Sequence, residues 1–338
     1  MPTETNLQAL LADTVGCRRA AHLTTAIATP EALRRPPAEQ VSRAEIAMAL
    51  AILLFEDLLQ RVPMARAYLE ENVQNGQALI FDHGALRTVA APSGDLPAGE
   101  AAFVRILEPL GYSRRDTYPL DRLGMTGRAW AHDDLPEDVP QYFVSELHPE
   151  RFSPRFQEAV ERVVGQSRDP LPERAVELLA RLATDRELSR ADARLLLPDL
   201  ASCFDRQHPR PAWRDYEVLL EESPEMAWIA TEGNAFNHAT DRVADVGEVA
   251  EIQRTLGRPM KASLEVSGSG RVIQTAFRAA EIDRLFRRDD GHFIVRRVPG
   301  SFHEFITRRT KDDGALDLAF DAANAQGIFK MTTAGEST

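Results

Sequence analysis

Two of the eight histidines in this chain stand in matching surroundings. Phe81-Asp82-His83-Gly84-Ala85-Leu86-Arg87 and Phe236-Asn237-His238-Ala239-Thr240-Asp241-Arg242 both read F-x-H-x-x-x-R. A third polar residue is out of place in another way. In Phe302-His303-Glu304-Phe305-Ile306, strand alternation puts Phe302, Glu304 and Ile306 on one face and His303 and Phe305 on the other. A carboxylate between two apolar neighbours is costly to bury without a partner. A metal ion is one such partner and the nearby Arg308 is the ordinary alternative; the residues alone weigh the two evenly. Two neutral imidazoles and a carboxylate on one face of a cation form the facial triad of non-haem Fe(II) oxygenases. Three coordination positions then stay open, two for a chelating 2-oxo acid and one for O2. Zinc is the competing metal, but zinc hydrolases usually carry their histidines close together, as in HExxH. His83 and His238 are 155 positions apart, so only folding can assemble this site.

Arg87 follows His83 by four positions, on the same face of a continuous strand. A guanidinium there can clamp a carboxylate through two parallel hydrogen bonds, although an average arginine makes a surface ion pair. Gln274 and Thr275 are polar residues inside the apolar run 272–276. One of them should face the interior, to touch a substrate or to satisfy backbone. For a single histidine a hydrogen-bonded structural role is the commoner outcome. His22, His132, His148 and His208 lie in polar or Pro-rich contexts and fit that description.

The elements that must position these residues are readable in outline. The first seventy-odd residues read as helical. Ser42 with Glu45 forms a capping-box signature, and Ile46, Leu50, Leu53, Leu54 and Leu58 repeat behind it at helical spacing. Asn75-Gly76 ends that pattern, and 78–81 reads as a strand. A helix over 99–110 stopping at Gly111, then strands at 126–131 and 141–145, complete a first module. Residues 153–223 read as several helices. Strand character returns at 226–230, followed by a helix over 246–256 stopping at Gly257. Strands at 272–277, 292–298 and 302–307 follow. The two F-x-H-x-x-x-R segments thus each precede a helix ending in Leu-Gly, which reads as an internal repeat of β-α-β-β modules. The domain reading is a helical segment at 1–75, β-rich modules at 76–150 and 225–330, a helical insertion at 151–224 and a polar tail at 331–338.

Composition bounds the partners. The formal net charge of -12 disfavours nucleic acid and anionic membrane, both polyanions. The two cysteines, Cys17 and Cys203, are too far apart for a zinc ribbon and fit a reducing compartment. The longest apolar run, 46–55, is too short to span a bilayer, and no secretory signal opens the chain. The expectation is a soluble, cytoplasmic protein. Oligomeric state is not readable.

These residues also carry a family resemblance. Phe81-Asp82-His83 with Arg87, Gly233-Asn234-x-Phe236-Asn237-His238-x-Thr240, Val272-Ile273-Gln274-Thr275-Ala276 and Gly300-Ser301-Phe302-x-Glu304-Phe305 occur in one order. The chain resembles the 2-oxoadipate dioxygenase/decarboxylase family, also called hydroxyglutarate synthase, over about residues 40–330. The resemblance implies an α+β fold related to the vicinal-oxygen-chelate enzymes. In it, two β-α-β-β modules form a curved, partly open sheet around a metal site, with added helical segments. It implies Fe(II) held by His83, His238 and Glu304, with Arg87 on the substrate carboxylate. The implied reaction converts 2-oxoadipate and O2 to 2-hydroxyglutarate and CO2. Gln274 joins Arg87 as a candidate substrate contact. The best-known members are longer than this chain, which leaves C-terminal contacts such as those of Gly327-Ile328-Phe329-Lys330 unassigned. Two further readings stand beside this one: a lyase, isomerase or hydrolase using Zn or Mn on the same scaffold, and a non-catalytic binder of a small acid.

Overall fold

The computed structural model describes residues 5–321. The segment 327–330 and the tail 331–338 lie outside the described residues.

Helices open the chain. α1 (Asn6–Val15) and α2 (Cys17–Ala26) meet at Gly16, whose φ of 89° favours a residue without a side chain. After β1 (Gln40–Ser42), α3 (Arg43–Arg61) starts at the expected capping box: the Ser42 hydroxyl accepts from Glu45 N–H, and the Glu45 carboxylate accepts from Ser42 N–H. Ile46, Leu50, Leu54 and Leu58 are buried as their spacing predicts, and Leu53 is partly buried. α4 (Pro63–Gln74) follows.

The strand expected at 78–81 begins only at Phe81: β2 runs over Phe81–Val89, while Leu79 makes a single bridge to Ile27. Asp82, His83, Gly84 and Arg87 argue against a strand by type. They form one because neighbours on both sides supply ladder bonds, and tertiary context outweighs propensity. Gly84 is required here, since the Phe236 ring occupies the place of a Cβ.

The first module continues with α5 (Ala101–Leu107), β3 (Tyr112–Leu120), β4 (Met125–His132) and β5 (Gln141–Leu147). β3 was absent from the sequence reading. Its Arg-Arg-Asp centre is solvated because it is a sheet-edge strand paired only with β4, with a bulge at Arg114–Asp116. The helical stretch comprises α6 (Pro154–Val164), α7 (Glu173–Asp185), β6 (Glu187–Ser189, paired with β1), α8 (Arg190–Ser202), α9 (Trp213–Glu222) and α10 (Pro224–Glu232). α10 corrects the strand expected at 226–230. Ser223 caps it, Pro224 starts it and Gly233 (φ 64°) ends it. Residues 225–232 are all buried, so no polar face marks the helical period.

The second module holds β7 (His238–Arg242), α11 (Val246–Thr255), β8 (Glu265–Val266), β9 (Val272–Ala276), the hairpin β10 (Glu281–Arg287) and β11 (Phe293–Pro299), and β12 (Phe302–Arg308). β10, unread in the sequence, is the partner of the strand expected at 292–298.

Eight strands form one curled sheet in the order β3-β4-β5-β2-β7-β12-β9-β8. Its halves mirror each other. β2 lies beside β7 antiparallel, β5 lies parallel to β2, and β12 lies parallel to β7. Each half is therefore β-α-β-β-β, one strand more than the repeat suggested. The ladder pairs His83 with Thr240 and Ala85 with His238, so the 155-residue shift of the repeat is a pseudo-two-fold axis between the two central strands. One face of the sheet packs on α3 and α4 through Phe55, Tyr68, Phe81 and Phe305. The other gathers Ala85, Val89 and Phe143 with α6, α9 and α10.

On the α4 side of β7, Tyr68 O–H donates to Asp241 Oδ2 at 2.7 Å and Ile80 N–H to Oδ1 at 3.0 Å. Burial outweighs both bonds and pushes the Asp241 carboxyl up to about 7. The folded state then holds this proton more tightly than the unfolded chain, so Asp241 lowers stability progressively as pH rises from about 4 to about 7. Asp241→Asn keeps an acceptor for Tyr68 and is expected to flatten the fall in unfolding free energy over that range. Urea unfolding across it is the check, and an unchanged slope refutes this account.

Candidate metal centre

The three residues singled out by type come together on adjacent strands. Ladder register puts Thr240 of β7 opposite both His83 of β2 and Glu304 of β12, and His238 opposite Phe302. His83 Nε2 is 3.5 Å and His238 Nε2 3.6 Å from the same Glu304 oxygen, Oε2. One ligand atom from each residue lies within 4.8 Å of the other two. The three residues are almost closed to solvent, at 2% for His83, 7% for His238 and 1% for Glu304. Such separations are long for hydrogen bonds. They suit ligands around a shared cation, since bonds of about 2.1 Å at angles of about 90–110° put ligand atoms roughly 3–3.5 Å apart. Glu304 Oε1 is buried and has no hydrogen-bond partner among the described residues. The donor set and this orphaned oxygen fit a divalent metal.

Arg308, the ordinary partner weighed for Glu304, is committed elsewhere. Its Nε and Nη2 donate to Asp82, and its Nη1 donates to the carbonyls of Asp317 and Ala319. Arg242 Nε donates to the same Asp82 at 2.7 Å. Asp82 Oδ1 in turn lies 2.8 Å from His83 Nδ1. The register shift between Phe81 and His83 is the local irregularity that lets neighbours on one strand meet. A carboxylate on Nδ1 fixes the tautomer that presents Nε2 as a ligand. Asn237 Oδ1 plays this part for His238 at 3.3 Å, and Phe302 stacks on that imidazole.

Charge follows this wiring. Burial alone would raise Asp82, but Arg308, His83 and Arg242 hold it well below the usual carboxylate range. Burial would also raise Glu304, yet His238, His83 and the Thr240 hydroxyl, which donates at 2.8 Å, keep it low. His83 is raised despite burial, by Asp82 and Glu304. His238 is pushed down to about 3 by burial, against the pull of Glu304. The centre thus offers an anionic carboxylate and a neutral imidazole in a dry setting.

The centre forms one wall of a cavity. Arg87 shares that cavity, as its spacing from His83 predicts. It is buried, its guanidinium lies 5.2 Å over the Trp228 ring, and burial brings it down to about 10, against the influence of Glu225. Gln274 also faces the cavity and donates to Glu265 Oε2 at 3.3 Å, whereas the Thr275 hydroxyl points to Ser263 O. Sequence reasoning missed Asn237, Phe143 and Phe320 as wall residues. Asn237 could have been found as the neighbour of a repeat histidine; Phe320 sits in irregular chain with no pattern to flag it. The Phe320 ring meets His83 edge-on at 4.8 Å, and Tyr118 O–H lies 3.1 Å from its N–H, accepting from it. His132, His148 and His208 bond to backbone or to Thr126 and stay outside the site. His303 lies on the opposite face, among Phe55, Tyr68, Phe277 and Phe305.

The model of the 2-oxoadipate dioxygenase/decarboxylase family matches residues 42–330. The chain belongs to that family. A rice relative (Oryza sativa subsp. japonica) named 2-oxoadipate dioxygenase/decarboxylase, chloroplastic/amyloplastic, is 23% identical over 83% of this chain and 77% of its own length. Among solved structures, a glyoxalase-superfamily protein from Ralstonia eutropha JMP134 is 54% identical, with a TM-score of 0.90 over 94% of this chain and 98% of that one. Rice hydroxyglutarate synthase in complex with 2-oxoadipate is 20% identical, with a TM-score of 0.67 over 88% and 96% of the two chains, and shares the fold. The expected relationship to oxygen-chelate folds holds. No helix among the described residues is long and apolar enough to cross a membrane.

Arg308 ties His83's partner to the segment carrying Phe320, so its two-sided fork is needed. Arg308→Lys keeps the charge but cannot reach both sides. Loss of such an outer contact is expected to weaken metal binding by about 10- to 100-fold. Chelator competition against Co(II) measures this, and unchanged affinity refutes it.

Proposed function

We propose that the protein is an Fe(II)-dependent dioxygenase that decarboxylates a 2-oxo acid, with 2-oxoadipate as first candidate. O2 is consumed, and the products are 2-hydroxyglutarate and CO2. The observation that carries this reading is the convergence of His83, His238 and Glu304 at a cavity that Arg87 also lines. The family and its relatives' names support the choice of reaction.

His83, His238 and Glu304 would hold the metal. When bound there, iron supplies O2 activation and a Lewis-acidic centre that a 2-oxo acid can chelate. The protein's own work is binding and orientation. Arg87 takes the carboxylate remote from the keto group, and Trp228 beneath it restricts its swing. Ala85, Phe143 and Phe320 line the space between and exclude water. Gln274, anchored through Glu265 and Lys261, adds a polar contact of fixed orientation.

Anaerobic loading with iron, followed by 2-oxoadipate and air, is expected to consume O2 and release CO2 in equal amounts. Turnover without O2 would instead indicate a lyase, isomerase or hydrolase, and binding without turnover a non-catalytic role. His83→Ala, His238→Ala and Glu304→Ala are each expected to abolish metal content and activity while leaving most of the fold; retained iron removes that residue from the ligand set. Arg87→Lys is expected to raise KM by about 10- to 100-fold with metal content unchanged. Unaltered kinetics in that variant would exclude Arg87 from substrate binding.

A further inference from the structure

The shift that carries His83 onto His238 also carries Asp82 onto Asn237 and Arg87 onto Arg242. In the first half of the sheet, Asp82 sits beside its histidine and on the β2–β7 diagonal from Arg242. It meets His83 Nδ1 at 2.8 Å and accepts from Arg242 at 2.7 Å. Arg308 completes that buried ion pair, which is structural. The second half keeps the histidine and the arginine but puts an amide where the carboxylate stood.

The amide does two things that the carboxylate could not do together. Its Oδ1 lies 3.3 Å from His238 Nδ1, so it still accepts the proton that keeps Nε2 available as a ligand. Its Nδ2 is a donor, is buried, and has no hydrogen-bond partner among the described residues. Asn237 is 2% exposed, is anchored by its N–H to Ala85 O at 2.9 Å, and lines the cavity that Arg87 also lines. A buried donor aimed into a cavity calls for an acceptor there. An aspartate at 237 would copy the closed ion pair of the first half onto Arg87. The amide instead presents a donor in a cavity that a buried cation, Arg87, also lines, and a donor together with a cation is the arrangement that receives a carboxylate.

We propose that Asn237 is a substrate-binding residue whose Nδ2 donates, beside Arg87, to the second carboxylate of a dicarboxylic 2-oxo acid. The identity of the ligand rests on the function proposed above; the subsite itself is built from this chain's own residues. Asn237 thereby selects dicarboxylic over monocarboxylic acids of equal length, while its other atom orients His238.

The test is anaerobic calorimetry on Co(II)-loaded full-length protein with 2-oxoadipate and 2-oxohexanoate, which differ only in the distal carboxylate. The unaltered protein is expected to prefer 2-oxoadipate by roughly 10- to 100-fold, the scale of a charge-assisted hydrogen-bond pair. Asn237→Asp, which keeps an oxygen towards His238, is expected to retain cobalt and lose that preference. Asn237→Ser introduces no charge, covers the case of an unstable aspartate variant, and is expected to lose about tenfold of the preference. Absence of discrimination in the unaltered protein overturns the proposal, as does a preference preserved within about threefold in both variants. Equal loss of affinity for both acids together with loss of cobalt also overturns it, because Asn237 would then act on His238 alone. Failure of iron-loaded protein to consume O2 while discrimination persists defeats the dioxygenase reading and leaves this subsite standing.

Discussion

A carboxylate buried at the middle of a sheet is the constraint around which this molecule is organised. Glu304 sits on β12, beside the central strand β7, with 1% of its surface exposed, where an uncompensated charge would cost several kcal/mol. Two imidazoles and one hydroxyl answer it directly. His83 is held in turn by Asp82, and Asp82 by two arginines. A run of buried polar contacts thus leads outward from Glu304 through His83 and Asp82 to Arg308. In a low-dielectric interior such a chain is worth having only when every member is paired. Glu304 Oε1, which has no hydrogen-bond partner among the described residues, marks where a cation fits.

The pseudo-two-fold explains both how the site is assembled and why it is not symmetric. Duplicated modules bring two histidines to facing positions without any local motif. The carboxylate comes from one module alone: Phe143 of β5 occupies the place that Glu304 holds on β12, as the matching registers against His83 and His238 show. One carboxylate and one phenyl ring give a carboxylate–imidazole cluster on one side and an apolar wall on the other. The change from Asp82 to Asn237 breaks the symmetry in the same direction, with a carboxylate in a buried ion pair in one half and an amide in the cavity wall in the other.

Residues 315–321 complete the enclosure. The chain here has no regular structure, yet it is tied at several points: Leu316 N–H to Glu137, Asp317 to Arg271, Phe320 N–H to Tyr118 and Asp321 to Gly268 N–H. Arg308 binds this strap and Asp82 at once, so the cover over the cavity and the orientation of His83 share one guanidinium. Phe320 itself contacts His83 and Phe143. Enclosure of this kind strengthens the interactions between charges inside.

Local rules settled a good deal from the sequence. The Ser42–Glu45 cap, the buried stripe of α3 and the glycine stops at Gly111 and Gly257 depend on residues within a few positions of one another, and spacing reveals them. The repeat of F-x-H-x-x-x-R identified the two histidines because duplication leaves a mark in the sequence, and alternation placed Glu304 and His303 on opposite faces. Other features were settled only by tertiary structure. β2 is a strand because β5 and β7 flank it, despite the polar and glycine residues it carries. β3 is a strand because β4 pairs with it, and α10 lost its visible period because every side of it is buried. Arg308 was weighed as a partner for Glu304; the fold gives it to Asp82 instead. Asp82, Asn237, Phe143 and Phe320 take their roles from neighbours between one and more than two hundred positions away. Convergence on a common point is a property of the register between strands, and the chain folded in three dimensions is the first level at which that register exists.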